Sequence, residues 1–294
     1  MTIVRVPLRI SVAGGGPDLP IWTRDHGAMF ISGAINKYIF LTLQRSHYSP
    51  EINLRYSRIE RRAKVKNIKH DIVRETFRHF GERGIGVAIT SHADIPSGTG
   101  LGSSGSFGVG LLHTILPTSA PEFLAKVSTQ IQVERLGWPI GPQDQYAAAF
   151  GGLRVYKIDW KGKVTSEPLA ADTKILNEKL VMFFTGVRRD AKKILLSSST
   201  DGLQEVQDIA RQMKKGLEKG RFDDYGILLD EHWARKKERH PGMSNPMIDQ
   251  LYGLAKENGA LGGKLIGAGG GGFLLFYTND RERLIRAMPL HHEP

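Results

Sequence analysis

The chain of 294 residues contains no cysteine, which excludes a disulfide framework and makes a reducing compartment the default. It has no apolar run long enough to cross a bilayer, and its opening, Met1-Thr-Ile-Val-Arg-Val-Pro7, lacks the apolar core of a signal peptide. The expectation is a cytoplasmic protein with no membrane partner. There is no internal repeat, low-complexity tract or long linker. Acids are outnumbered, 30 Asp and Glu against 41 Lys and Arg, for a formal charge of +11. A basic surface of that kind suits nucleic acid or a small anionic substrate. The basic residues come in short groups, Arg58/Arg61/Arg62/Lys64/Lys66 and Arg235/Lys236/Lys237/Arg239, without the interleaved aromatics of a base-stacking surface. Nucleic acid is therefore not an expected partner, and the second group, in a helical stretch, reads as a solvated face.

Glycine is what the chain has in quantity, and it gathers where backbone must approach an anion. Asp94-Ile-Pro-Ser-Gly-Thr-Gly-Leu-Gly-Ser-Ser-Gly-Ser-Phe107 runs into the apolar-periodic segment 107–116 and reads as a phosphate cradle on a helix N-terminus. Gly98, Gly100 and Gly102 permit positive φ, the first-turn N–H groups near Ser103–Ser106 point at the anion, and Ser103 and Ser104 are candidates to cap the helix. A Walker A loop needs a lysine that this loop lacks. Gly100-Leu-Gly-Ser-Ser-Gly105 fits the dinucleotide pattern, as does Gly267-Ala-Gly-Gly-Gly-Gly272. The acid closing a second strand some twenty residues on is missing, however, because Ser119-Ala-Pro-Glu122 reads as a helix start.

Strand-like alternation spans 3–12, followed by β-rich stretches at 28–32, 38–44 and 52–56, a helix over 71–80 and a strand over 87–93. After the loop helix, another runs from Ser119-Ala-Pro-Glu122 to about Leu136, and a short Ala-rich helix precedes Gly151-Gly152. Strands near 153–158 and 181–185 lead into a mainly helical remainder, then a glycine loop over 262–272, a strand over 272–277 and a helix from Asp280. The pattern predicts an α+β chain of two domains, 1–152 and 153–294.

Three charged residues invite chemical roles. Asp144 falls in the first turn of a helix, where the macrodipole favours its ionised form. It can accept a proton from an attacking hydroxyl or serve only the helix start, where an exposed acid contributes less than about 1 kcal/mol. Glu134 sits near a helix C-terminus, an unfavourable place for an acid, and either binds a cation or is a surface glutamate. Arg9 lies in a buried-looking strand, so it calls for an anionic partner.

Pro96-Ser-Gly-Thr-Gly-Leu-Gly-Ser-Ser104 resembles the central motif of the GHMP small-molecule kinases, the superfamily of galactokinase, homoserine kinase and mevalonate kinase. The other two motifs stand in order at Pro7-Leu-Arg-Ile-Ser-Val-Ala-Gly-Gly-Gly-Pro-Asp18 and Gly262-Gly-Lys-Leu-Ile-Gly-Ala-Gly-Gly-Gly-Gly-Phe273. With Ile35-Asn-Lys-Tyr38 and Gln143-Asp-Gln-Tyr-Ala-Ala-Ala-Phe-Gly-Gly152, nearly the whole chain is similar to the D-glycero-D-manno-heptose 7-phosphate kinases of that superfamily. The resemblance implies a two-domain fold with the active site in the interdomain cleft, and transfer of the ATP γ-phosphate to the anomeric hydroxyl of heptose 7-phosphate, in nucleotide-activated heptose synthesis for surface polysaccharide. Other sugars of the superfamily (fucose, galactose or another sugar phosphate) and a non-catalytic sugar/ATP-binding protein are the alternatives.

Carried over residue by residue, the resemblance implies catalytic roles for Asp144 and Arg9, and nucleotide binding by Pro96, Gly98, Thr99, Gly100, Leu101, Gly102, Ser103 and Ser104. It implies Mg²⁺ on Ser104 and Glu134, and acceptor binding by Gly15, Gly16, Asp18 and Gly270. A sugar phosphate needs cations, for which Lys37, Arg188, Arg189 and Lys192 are candidates. The glycines at 269–272 carry no chemistry and would let the backbone pack close to the phosphate loop. Two departures fall in expected sugar regions: Pro17 where the family has threonine, and Arg188-Arg-Asp-Ala191 where it has Thr-Arg-Ser-Ala. The chain stops at His291-His-Glu-Pro294 where relatives continue into a final strand.

Overall fold

The computed structural model describes residues 1–46, 48–81, 86–189 and 191–293. Strand β1 (Thr2–Ala13) begins with one face buried, but from Leu8 every position is inside, which encloses Arg9. Helix α1 (Pro20–His26), unforeseen in the sequence, starts on a proline and stops at Gly27, φ +65°. Strand β2 (Ala28–Ser46) is one continuous strand where two were expected. Its first part pairs with β6 (Leu153–Ile158) and its second with β5 (Gly86–Ala93). The half-buried residues around Asn36, where the partner changes, break the period-two signal.

A hairpin of β3 (Ile52–Arg55) and β4 (Ile59–Arg62) precedes α2 (Asp71–His79), with Ile72, Val73 and Phe77 buried. Helix α3 (Ser103–Ile115) follows the glycine loop, and α4 (Pro121–Gln130) continues as a π-helical turn over Ile131–Arg135. Next come α5 (Gln143–Phe150), β6, β7 (Val164–Pro168), α6 (Thr173–Lys179), β8 (Leu180–Phe184) and α7 (Ala191–Leu196). The long helices α8 (Leu203–Glu218) and α9 (Phe222–Glu238) precede α10 (Pro246–Glu257), whose N-cap Asn245 accepts from the Ile248 N–H at 3.0 Å. Strand β9 (Ala260–Leu265) occupies the start of what was expected to be loop, because its glycines accept close neighbours: a side chain at Gly263 would strike the Phe276 ring. The chain closes with β10 (Phe273–Thr278), α11 (Arg281–Ala287) and β11 (His292–Glu293), which pairs with β8.

The chain forms two compact units that alternate along the sequence: residues 1–9, 34–96 and 102–151 make the first, and 10–33, 97–101 and 152–294 the second. In the first, β4, β3, β5 and the later part of β2 pair in that order. Its core joins Val4 and Val6 of β1 to Val109, Leu112, Leu124, Val127, Ile131 and Ala148 of the helices. The second contains the sheet β11-β8-β10-β9, with all of β10 buried. Phe183, Trp233, Ile248, Leu265, Leu274, Phe276 and Leu284 form its core, each large apolar side chain contributing roughly 1.5–3 kcal/mol by burial. Among the described residues no helix is long and apolar enough to cross a membrane.

Candidate active site

The glycine loop has the conformation that its composition requires. Gly98, Gly100 and Gly102 take φ of +83°, +91° and +76°, values that a side chain would resist. Gly102, left-handed, is the N-cap of α3, and no side chain caps it. Ser103 and Ser104 do not cap the helix, because they already lie inside its first turn. Ser106 Oγ instead donates to the Pro7 carbonyl at 2.8 Å, tying the helix start to β1 in the first unit.

Residues 97–101 pack with the second unit. The Arg189 N–H donates to the Gly98 carbonyl at 3.0 Å, and Arg188 Nε donates to the Ser97 carbonyl at 2.8 Å. The third glycine motif lies against this segment: a Cβ at Gly267 would sit 2.7 Å from Gly100 Cα, and one at Gly272 would collide with the Thr99 carbonyl. Arg189 Nε donates to the Gly269 carbonyl at 2.7 Å, so one arginine touches both glycine loops. Asp190 lies outside the described residues; Lys192, in α7, is half-buried.

In the first unit Arg9 and Asp144 form an ion pair. Nε donates to Asp144 Oδ1 at 2.8 Å and Nη2 donates to the same oxygen. The Arg9 side chain is 5% exposed and that of Asp144 30%, so the arginine is enclosed and the acid reaches solvent. Oδ2 of Asp144 has no hydrogen-bond partner among the described residues. Glycines permit the arrangement: a Cβ at Gly102 would press on Arg9 Cγ at 3.1 Å, and one at Gly105 would collide with Asp144 Cβ. A helix N-terminus, a buried cation and a carboxylate with one uncommitted oxygen therefore meet at the start of α3 in the first unit.

Ser104 and Glu134, both exposed, belong to the same unit. Gln132, two residues before Glu134 on the π-helical turn, donates to the Ser104 carbonyl at 3.3 Å. Neither the Ser104 hydroxyl nor the Glu134 carboxylate is engaged by another side chain among the described residues. Two uncommitted hard oxygens fit Mg²⁺, which takes only one or two protein ligands beside substrate phosphates. Lys37 is half-buried on β2, next to Tyr38, whose N–H donates to Asp94 at 2.8 Å.

The turn over 14–18 belongs to the second unit. Asp18 is buried, and its Oδ1 accepts the Gly16 N–H at 3.0 Å. Gly15 is half-buried beside it, and Gly270, φ +75°, donates its N–H to the Met243 carbonyl at 3.0 Å. Two residues of the supposed solvated face are buried here. Lys236 donates to the carbonyls of Leu265 at 2.7 Å and Gly267 at 2.5 Å, bracing the third glycine motif. Arg239 lies under the 14–18 turn, its Nε donating to the Ser199 carbonyl at 3.0 Å. The sequence carried a signal for both, since Tyr225, Leu229, Trp233 and Lys236 follow helical spacing and Arg239 extends it. Buried His232 is held well below its usual pKa by burial and by Lys264, Lys236 and Arg239.

Comparison with known proteins agrees with this architecture. Residues 66–152 match the GHMP kinases N terminal domain and residues 213–293 the GHMP kinases C terminal family. A D-glycero-alpha-D-manno-heptose 7-phosphate kinase of Campylobacter jejuni is 30% identical, over 97% of this chain and 92% of that protein. Among solved structures, a D-glycero-D-manno-heptose 1-phosphate kinase of Bacteroides thetaiotaomicron superposes with a TM-score of 0.79 at 24% identity, covering 97% of this chain and 92% of that one. A putative sugar kinase of Campylobacter jejuni gives 0.77 at 26% identity, over 99% and 94%. With the three glycine motifs folded as described and likeness along nearly the full length, the chain belongs to the GHMP kinase family.

Proposed function

We propose that this ATP-dependent sugar kinase transfers the γ-phosphoryl group to the anomeric hydroxyl of D-glycero-D-manno-heptose 7-phosphate, giving the 1,7-bisphosphate, as a cytoplasmic step toward nucleotide-activated heptose for surface polysaccharide. The observation that carries the reading is the Arg9–Asp144 pair at the start of the phosphate-loop helix. Phosphoryl transfer asks a protein mainly for positioning and for charge where the transition state develops it. Arg9 fixes one oxygen of Asp144 and leaves the other to accept the acceptor hydroxyl's proton or hold that oxygen in line. The segment Pro96–Ser104 cradles the nucleotide phosphates with its N–H groups. Ser104 and Glu134 would hold Mg²⁺, which when bound neutralises charge on the phosphate oxygens.

In this reading Asp18 accepts hydroxyls of the sugar, with Gly15, Gly16 and Gly270 giving close backbone approach. Lys37, Arg188, Arg189 and Lys192 are the candidates for its phosphate. The domain division at 152/153 belongs to the same reading. Another acceptor is the second reading: Pro17 departs from the heptose-kinase pattern, and a bifunctional fucokinase/GDP-fucose pyrophosphorylase of Arabidopsis thaliana is 25% identical over 96% of this chain and 30% of that protein. Purified protein incubated with ATP, Mg²⁺ and a panel of sugars, each with and without a terminal phosphate, distinguishes them by ADP release. Turnover is expected to be greatest with heptose 7-phosphate, and no release above the ATPase background with any sugar would overturn the kinase assignment.

A further inference from the structure

Arg239 is the feature of the second unit that the proposed mechanism leaves unused. It is 6% exposed, and its Nη2 is buried with no hydrogen-bond partner among the described residues. A buried guanidinium with unspent donors is costly, so its retention asks for a reason. Only its Nε is committed, to the Ser199 carbonyl, while the Ser199 N–H donates to the Arg239 carbonyl at 3.0 Å. That double link fixes the residue just beyond the end of α9.

Nη1 of Arg239 lies directly beneath Gly16: a Cβ there would collide with it, which is one reason that position is glycine at φ +114°. The Gly16 N–H in turn donates to Asp18 Oδ1. Asp18 is the acid whose charge Arg239 feels. Arg239 is thus a cation close enough to influence the buried Asp18 carboxylate, and it also props the turn holding that acid.

We propose that Arg239 is the positioning residue for Asp18: it supports the Gly16 turn from below and balances the carboxylate's charge, so that Asp18 is presented ionised and oriented to sugar hydroxyls. This rests on the reading of Asp18 as an acceptor ligand, which Asp18→Asn tests separately. If that variant leaves the acceptor KM unchanged, the Asp18 reading fails whatever Arg239 does.

Given a strong Asp18→Asn effect, Arg239→Met should raise the acceptor KM about tenfold or more, since it removes both the charge beside Asp18 and the support under its turn, while the KM for ATP stays within about twofold. Arg239→Lys should recover part of the loss, and the double variant Asp18→Asn/Arg239→Met should be no worse than the worse single one. Equal changes in both KM values, or losses that multiply in the double variant, would assign Arg239 to a merely structural anchor of α9. If Arg239→Met does not fold, Gly16→Ala displaces the guanidinium from the other side. It should give the same acceptor-selective rise, and a parallel rise in the KM for ATP would overturn the proposal.

Discussion

Replacing Asp144 by Asn keeps the shape of the side chain and removes its charge, and the contact with Arg9 decides the outcome. The amide oxygen can still accept from Arg9, so the geometry at Oδ1 survives in part. The other position becomes an NH₂ group that donates and cannot accept a proton. If the carboxylate acts on the acceptor hydroxyl, its contribution falls mainly in the transition state, and kcat should drop about 10²-fold or more. That corresponds to about 2.7 kcal/mol of lost stabilisation. Nucleotide affinity should be nearly unchanged.

Stability tells a different story from the one expected of an exposed first-turn acid. Asp144 pairs with an arginine only 5% exposed, and removing one partner of a buried ion pair costs up to about 3–5 kcal/mol. With the amide still accepting one hydrogen bond, a loss of about 1–3 kcal/mol is expected. The assay is steady-state ADP release at saturating ATP with the best acceptor, with denaturant unfolding measured on the same preparation. Near-normal turnover in a folded variant would refute the argument, leaving Arg9 and the metal ion to carry the transfer by positioning alone.

Ser104→Ala and Glu134→Gln should each raise the Mg²⁺ concentration needed for half-maximal rate, since each removes one of few protein oxygens; an unchanged requirement in both would remove them from the metal site. Arg188→Gln and Arg189→Gln should weaken a phosphorylated sugar more than its unphosphorylated parent, and equal losses would leave both arginines as braces of the glycine loops they touch. Glu60 and His70 make the first unit sensitive to acid. Burial raises the Glu60 carboxyl, but hydrogen bonds from Tyr56, Lys69 and His70 outweigh it and hold it below its usual range, and burial likewise lowers His70. Both folded values lie below the unfolded ones, so their stability is present at neutral pH and lost as pH falls. Below about pH 4.5, Glu60→Gln should flatten the decline in Tm, and a decline as steep as the parent's there would contradict the assignment.

The phosphate loop was legible in the sequence because its chemistry is local: positive-φ glycines and a following helix sit within one short stretch. Asp144 was legible for the same reason, as the acid of a first turn. Arg9 could be seen to need an anion, but only the family resemblance, and no local pattern, sets it beside an acid 135 positions away. The continuous β2 was hidden because its two parts answer to different partners, each with its own pattern of burial. Lys236 and Arg239 read as solvated by their charge, whereas their helical spacing with Tyr225, Leu229 and Trp233 puts them on the buried face. Lysine and arginine can be buried when backbone carbonyls accept their hydrogen bonds, as those of Leu265, Gly267 and Ser199 do here.

The alternation of the two units along the chain has a consequence for how the protein is made. The Met29 N–H donates to Gln207, 178 residues later, and Lys264 Nζ donates to the Val12 carbonyl across 252 residues. At translation rates of 5–20 residues per second, the early segment waits roughly 10–50 s for those partners to leave the ribosome. Until then the earlier part of β2 lacks its partner β6, and the apolar residues of β1 and β2 lack their later lining, the kind of surface that chaperones retain and that aggregates when they are scarce. A gene fragment ending at the 151/152 switch would carry that segment permanently without its lining. Synthesis of the second half therefore decides whether what was made first ever becomes native.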